Sequence, residues 1–133
     1  MALVDANGLP IALELHPANR HEVTLCFDLV QGWWTDALPE RVIGDKTYDS
    51  DSLDEQMANC DVEMIAAQRK NRTKAKTQDG RCLRRAKRRW KVERFFSWLQ
   101  NFRRLVVRYE RKSANLLGFV LLAATIMHVK YRF

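Results

Sequence analysis

Ten residues near the middle of the chain decide its fold, and they read RVIGDKTYDS at positions 41–50. The first half is a β-branched run that ends at a glycine, which predicts a short buried strand opening into a loop. Asp45 is therefore expected at the carboxyl-terminal tip of that strand. Ser50 is placed to cap a helix over residues 51–58, because acidic side chains fill the first turn, where the helix dipole favours them. A second strand is expected over residues 62–66.

The N-terminal side adds a hairpin and a helix. Residues 2–5 and 11–15 are short segments on either side of Asn7-Gly8, a pair of residues typical of a tight hairpin turn. Apolar side chains then recur at helical spacing over residues 22–34, which predicts an amphipathic helix. Alternating strands and helices indicate an α/β fold with a short mixed sheet, flanking helices and a hairpin at one edge.

The second half of the chain is predicted to be helical after a polar loop. Residues 68–80 are strongly basic and almost devoid of apolar side chains, which indicates an exposed loop. Helices are expected over residues 81–107 and 115–130, the last one capped by Ser113. One apolar stripe runs along the first of these helices: Val92, Phe95, Phe96, Leu99, Phe102 and Val106. The last helix is expected to be buried, because its longest apolar stretch, residues 116–129, has 14 residues and a bilayer span needs roughly 20.

Composition narrows the class of protein. The chain has 133 residues, of which 47% are hydrophobic and 29% charged, a composition that permits one compact domain and argues against wholesale disorder. Three widely spaced cysteines match neither a disulfide framework nor a structural zinc site, and we expect inert thiols. The N-terminus shows no pattern of a secretory signal. The sequence therefore predicts a cytoplasmic protein without a membrane span.

Charge divides the chain into blocks. Residues 1–67 hold 3 basic and 13 acidic side chains, a net charge of −10, whereas residues 68–112 hold 18 basic and 3 acidic ones, a net charge of +15. A solvated helix face explains many basic stretches. Here arginine outnumbers lysine and aromatic rings are interleaved with the charges, and arginine suits bidentate phosphate contacts, so nucleic acid is the favoured partner. Such binding should weaken steeply with salt, because counterions are released.

Two acids stand out by their positions. Asp45 ends a strand, and Glu93 is the only acid among residues 80–109. Glu93 can form an intrahelical ion pair with Arg89, four residues earlier, worth roughly 0.3–0.5 kcal/mol. It can equally be a metal ligand on the flank of the helix. Spacing alone supports both roles equally for Glu93 and favours a purely structural role for Asp45.

Two segments of the chain together resemble the DDE transposases of bacterial insertion sequences, most of all the group typified by insertion sequence five. They read GDKTYDS at residues 44–50 and RRWKVERFFSWLQNFRRL at residues 88–105. Arg89 matches an arginine that the family has four residues before its glutamate. Ala86 and Gln100 stand where the family has a tyrosine and a lysine, so the likeness is incomplete around this motif.

The resemblance implies a ribonuclease-H-like fold, incomplete here, in a single partial catalytic domain over residues 1–133 whose basic loop and helix occupy about 68–112. Members of the family hold two magnesium ions with two aspartates and a glutamate while they cut and join DNA. By resemblance Asp45 is the second acid and Glu93 the third, so both are candidate catalytic and metal-binding residues. The candidate DNA-binding residues are Arg84, Arg85, Arg88, Arg89, Lys91, Arg103 and Arg104.

The first acid of the family lies upstream of the segment that matches residues 3–10. We therefore expect a fragment or second-frame product with little activity by itself, and we expect Asp5, beside the hairpin turn, to be a turn residue. The alternatives are a catalytically dead fragment that binds DNA or regulates the transposase, and an unrelated nucleic-acid-binding protein. The expected partners are DNA, at element ends and target, and a further copy or the full-length transposase, all at the nucleoid.

Overall fold

The computed structural model describes residues 1–32, 37–70 and 84–132, and the chain divides into two compact units. One unit takes residues 18–90, and the other joins residues 1–17 to residues 91–133. The expected mixed α/β character is confirmed. The expectation of one mixed sheet is wrong, because within the described residues the strands form two separate two-stranded sheets, one in each unit.

The chain begins with a β-hairpin. Strands β1 (Ala2–Val4) and β2 (Pro10–Leu13) run antiparallel, as the turn residues between them predict. The Oδ1 atom of Asp5 accepts the backbone N–H of Asn7 at 2.7 Å and the backbone N–H of Leu9 at 2.8 Å. Asp5 therefore closes the turn, which is the role expected from the sequence.

The unit of residues 18–90 is built on two parallel strands. Its elements are helix α1 (Glu22–Gln31), strand β3 (Arg41–Gly44), helix α2 (Asp51–Ala58) and strand β4 (Glu63–Ala66). The two strands pair in parallel and in register, and α2 lies in the crossover connection that parallel pairing requires. The apolar side chains buried in this unit include Leu25, Cys26, Leu29, Val30, Val42, Leu53, Met57, Met64 and Ile65.

The predicted elements of this unit are confirmed, with small shifts at their ends. Helix α2 has the predicted bounds, and Ser50 takes the N-cap position without a side-chain hydrogen bond to the helix. Helix α1 ends at Gln31, and residues 33–36, where its predicted end falls, lie outside the described residues. Of the predicted basic loop, residues 71–80 also lie outside them.

The prediction of one continuous helix over residues 81–107 is wrong. Along the described part of this segment, residues 84–86 are helical and Lys87–Arg89 form a 3₁₀ turn, followed by helix α3 (Trp90–Leu99) and a short helix α4 (Arg103–Val106). Phe102, between α3 and α4, has an extended backbone with φ −93° and ψ 105°, and its ring packs against a buried cluster. Partial burial of that side chain thus accompanies the break in the helix.

The predicted apolar stripe is only partly buried. Phe95 is 0% exposed and packs in a cluster with residues of the hairpin and of the last helix, whereas Phe96 is 47% exposed and Val106 is 59% exposed. The cluster consists of Leu9, Leu13, Phe95, Ala124 and Met127. Val106 lies beyond the end of the helix at Leu99, whereas Phe96 lies within the helix, so the end of the helix explains only part of the difference.

Helix α5 (Ser113–Arg132) is the longest element, and the expectation that it is buried is wrong. Ala124 and Met127 are buried, whereas Leu122 and Val129 are 55% and 61% exposed. Its stretch Ser113–Tyr131 is apolar enough to cross a membrane by length and composition, with a mean hydropathy of 1.4 and 17% of the stretch buried. One such helix is weak evidence for a membrane span, and the absence of a membrane partner stays a prediction.

Candidate functional site

Asp45 lies where the sequence places it, directly after the last residue of β3 and at the start of the 3₁₀ turn Lys46–Tyr48. Its Oδ1 atom accepts the backbone N–H of Lys46 and lies 3.3 Å from Nη1 of Arg89. Both contacts use the same oxygen. Within residues 18–32, 37–70 and 84–90, the one hydrogen bond to the carboxylate goes to Oδ1, and the side chain of Asp45 is 41% exposed. The carboxylate is thus accessible to a ligand.

The backbone under Asp45 is held by close packing. A Cβ atom added to Gly44 would lie 2.9 Å from Cδ2 of Tyr48, so only glycine leaves room for the ring. The phenol of Tyr48 donates a hydrogen bond to Oε2 of Glu22 at 3.0 Å. Burial, followed by this hydrogen bond, raises the pKa of Tyr48 well above its ordinary value. This hydrogen bond links the turn after β3 to helix α1.

Arg69, three residues after β4, binds the turn that follows Asp45. Its backbone N–H donates to Oδ2 of Asp49 at 2.8 Å. Its side chain donates from Nε to the carbonyl of Lys46 at 3.2 Å and from Nη2 to the carbonyl of Thr47. Since parallel strands end at the same edge of a sheet, residues that follow β3 and β4 meet there. Sequence reasoning missed Arg69 by assigning it to an exposed basic loop, although its position just after the second strand is a usable signal.

Glu93 belongs to the other unit and lies on the exposed surface of α3. Two basic residues of the same helix bind the hairpin: Lys91 donates from Nζ to the carbonyl of Ala6, and Arg94 donates from Nη2 to the carbonyl of Asn7. These bonds join the hairpin to the first turns of α3. Lys91, a candidate DNA-binding residue, thus has a contact within the fold.

The other candidate DNA-binding residues are mostly exposed. Arg84, Arg85 and Arg88 lie on the surface of the unit of residues 18–90. In the other unit, Arg103 is exposed, and Arg104 lies 3.6 Å from a carboxylate oxygen of Glu110. Exposed arginines can bind phosphates, and a phosphate at Arg104 would compete with its ion pair to Glu110.

The site residues thus fall into two groups. Asp45 and Arg89 lie together in one unit with the bracing residues Tyr48 and Arg69, and Glu93 lies in the other. Within residues 1–32, 37–70 and 84–132, no group of three or more His, Cys, Asp or Glu side chains is arranged to hold a metal ion. Hard carboxylate oxygens nevertheless suit Mg²⁺, and the accessible carboxylate of Asp45 fits such an ion as one ligand. The convergence of Asp45 with Glu93 stays a prediction.

This chain is similar to a transposase family and to proteins described as transposases of insertion sequences. The family model described as "Transposase DDE domain" matches residues 1–127. A Burkholderia cepacia protein described as a transposase for insertion sequence element IS402 is 34% identical over 124 residues, covering 84% of this chain and 53% of that protein. A Brucella ovis protein described as a transposase for element IS6501 is 30% identical over 131 residues, covering 97% of this chain and 95% of that protein. The chain therefore spans about half the length of the IS402 relative, and no solved structure matches it.

Proposed function

Because the chain belongs to the transposase DDE domain family, we propose that it carries catalytic residues of an insertion-sequence transposase. In this proposal it takes part in cutting DNA at the element ends and joining those ends to a target. The single observation that supports the proposal most is the carboxylate of Asp45, which lies at the carboxyl edge of a parallel strand pair with its side chain 41% exposed. Ligands of open α/β sheets bind at that edge.

Asp45 and Glu93 are the acids that we propose to hold magnesium. When bound, the ions supply activation of the attacking oxygen and stabilisation of the leaving oxygen. The protein contributes position and charge: Lys46 and Arg89 contact Oδ1 of Asp45, and this carboxylate would hold the metal. Arg89 also places a positive charge beside this carboxylate, where a DNA phosphate would otherwise be repelled.

DNA is the proposed substrate and partner, bound in part by the exposed residues Arg84, Arg85 and Arg88. Each phosphate contact should contribute about 0.9 to the slope of log affinity against log salt concentration. Replacing all three with glutamine should therefore weaken duplex binding and lower that slope by up to about 3. Arg20→Gln, at an exposed site in the acidic half of the chain, is the control. We further propose that the protein works as an oligomer or with a longer transposase, on the bacterial nucleoid.

Transposition of a marked copy of the element, with its gene left in its genomic context, tests the catalytic assignment. Asp45→Asn and Glu93→Gln should each reduce transposition by more than the roughly 10–100-fold that loss of a supporting residue costs. Binding of element-end DNA should stay within about twofold of the unmodified protein, because neither residue is assigned a phosphate contact. Asp28→Asn and Glu55→Gln, at exposed sites on α1 and α2, are the matched controls.

Normal transposition by either site variant would refute the assignment of that acid. If both variants transpose normally while the triple arginine variant loses DNA binding, the chain is a DNA-binding fragment without a catalytic role, which is the alternative function predicted from the sequence.

A further inference from the structure

Arg69 makes three hydrogen bonds within residues 18–32, 37–70 and 84–90, and all three go to the turn that follows Asp45. The side chain of Arg69 donates to the carbonyls of Lys46 and Thr47, and its backbone N–H donates to the carboxylate of Asp49. Three of the four residues after Asp45 are therefore bound to one residue from the adjacent strand end. The contacts all lie within the unit of residues 18–90.

This arrangement reaches Asp45 through the backbone. The N–H of Lys46 donates to Oδ1 of Asp45, so the orientation of the carboxylate depends on the orientation of the peptide that carries this N–H. Arg69 holds the carbonyl at the other end of the same residue, at 3.2 Å from its Nε. If Lys46 turned, it would lose both bonds. Arg69 thus restrains Lys46, whose N–H orients the carboxylate of Asp45.

The guanidinium suits this task better than any other cationic group. It is planar, and its N–H groups form a rigid fork, so Nε and Nη2 can bind two successive carbonyls at once. A lysine carries the same charge but presents a point charge on a flexible stem. The two carbonyl contacts therefore require the fork of an arginine, whereas a phosphate contact that uses only one N–H group also accepts lysine.

We propose that Arg69 is a positioning residue for Asp45: it holds the turn Lys46–Asp49 so that the carboxylate of Asp45 faces its ligand. The proposal rests on the proposed function and deepens it, because it adds a residue outside the acids and the arginines of the basic helix. Replacing a residue that orients a metal-binding side chain typically lowers metal affinity or activity about 10–100-fold.

The test uses Arg69→Gln and Arg69→Lys in the full chain, with Lys70→Gln, an exposed neighbouring cation, as the control. We expect both Arg69 variants to lower transposition of the marked element at least about tenfold, and we expect lysine not to rescue it. Hydrogen–deuterium exchange should be faster at the amides of residues 46–49 in both variants. Binding of element-end DNA should match that of Lys70→Gln, and thermal unfolding of both variants should confirm that the remainder of the unit stays folded.

Two results would overturn the role of Arg69. One is a pattern in which Arg69→Lys is fully active, Arg69→Gln is inactive, and DNA binding by Arg69→Gln has a lower salt slope. That pattern describes a phosphate contact. The other is unchanged amide exchange at residues 46–49 in both variants. Failure of the proposed function has a separate signature, because Asp45→Asn would then transpose normally. If Asp45→Asn is inactive and both Arg69 variants are active, the positioning role alone is refuted.

Discussion

The hairpin turn offers a direct test of what Asp5 does. In the structure its Oδ1 accepts two backbone N–H groups, from Asn7 at 2.7 Å and from Leu9 at 2.8 Å. A hydrogen bond to an ionised group contributes about 1.5–3 kcal/mol. The amide of Asn7 is exposed, so water replaces the carboxylate there at little cost, whereas the amide of Leu9 is partly buried. We therefore expect Asp5→Ala to lower the free energy of unfolding by about 1.5–3 kcal/mol.

Urea unfolding followed by circular dichroism measures this loss, and hydrogen exchange at the Leu9 amide locates it. Asp5→Asn keeps an acceptor oxygen, so its free energy of unfolding should fall by about half as much as that of Asp5→Ala. Asp28→Ala, at an exposed site on α1, should change stability by less than about 0.5 kcal/mol. The reasoning fails if Asp5→Ala unfolds at the same urea concentration as the unmodified protein. If that variant keeps its stability and loses transposition, Asp5 has a role at the site instead.

Two further predictions concern buried side chains. Phe95→Ala should lower the free energy of unfolding by about 3–5 kcal/mol, because the ring is fully buried. Phe96→Ala, at a site 47% exposed, should lower it far less. Equal losses in thermal or urea unfolding would contradict the packing. Burial raises the pKa of the Cys26 thiol to about 11, which leaves little thiolate at pH 8. Iodoacetamide should therefore modify Cys26 only on unfolding, and it should modify the partly exposed Cys60 much sooner. Mass spectrometry measures both rates, and labelling of the two thiols at one rate would refute this prediction.

Local sequence signals were sufficient where an element is specified by its own residues. The hairpin follows from its turn residues, and the strand over residues 41–44 follows from a β-branched run that ends at a glycine. The position of Asp45 at the end of that strand was predicted for the same reason. Its role as a ligand was suggested by family resemblance, because spacing along the chain does not favour a ligand over an ordinary loop acid.

Tertiary structure decided where helices stop and what covers them. The sequence between α3 and α4 contains neither glycine nor proline, and Asn101 is its one residue typical of a helix end, so the apolar spacing outweighed that signal in the prediction, whereas the helix ends at Leu99. Likewise, the apolar composition of α5 predicts burial of the whole helix, yet Leu122 and Val129 are largely exposed. Apolar periodicity reveals which residues can be buried; which of them are buried depends on the segments available to pack against them.

The support around Asp45 also depends on tertiary structure. Arg69 and Asp45 are separated by 23 intervening residues, and they become neighbours only because β3 and β4 pair in parallel and end at the same edge. The sequence alone established the hairpin, the strand that carries Asp45, the basic block and the resemblance to a transposase. The register of two strands, which is a long-range interaction, determined that Arg69 meets the turn that follows Asp45.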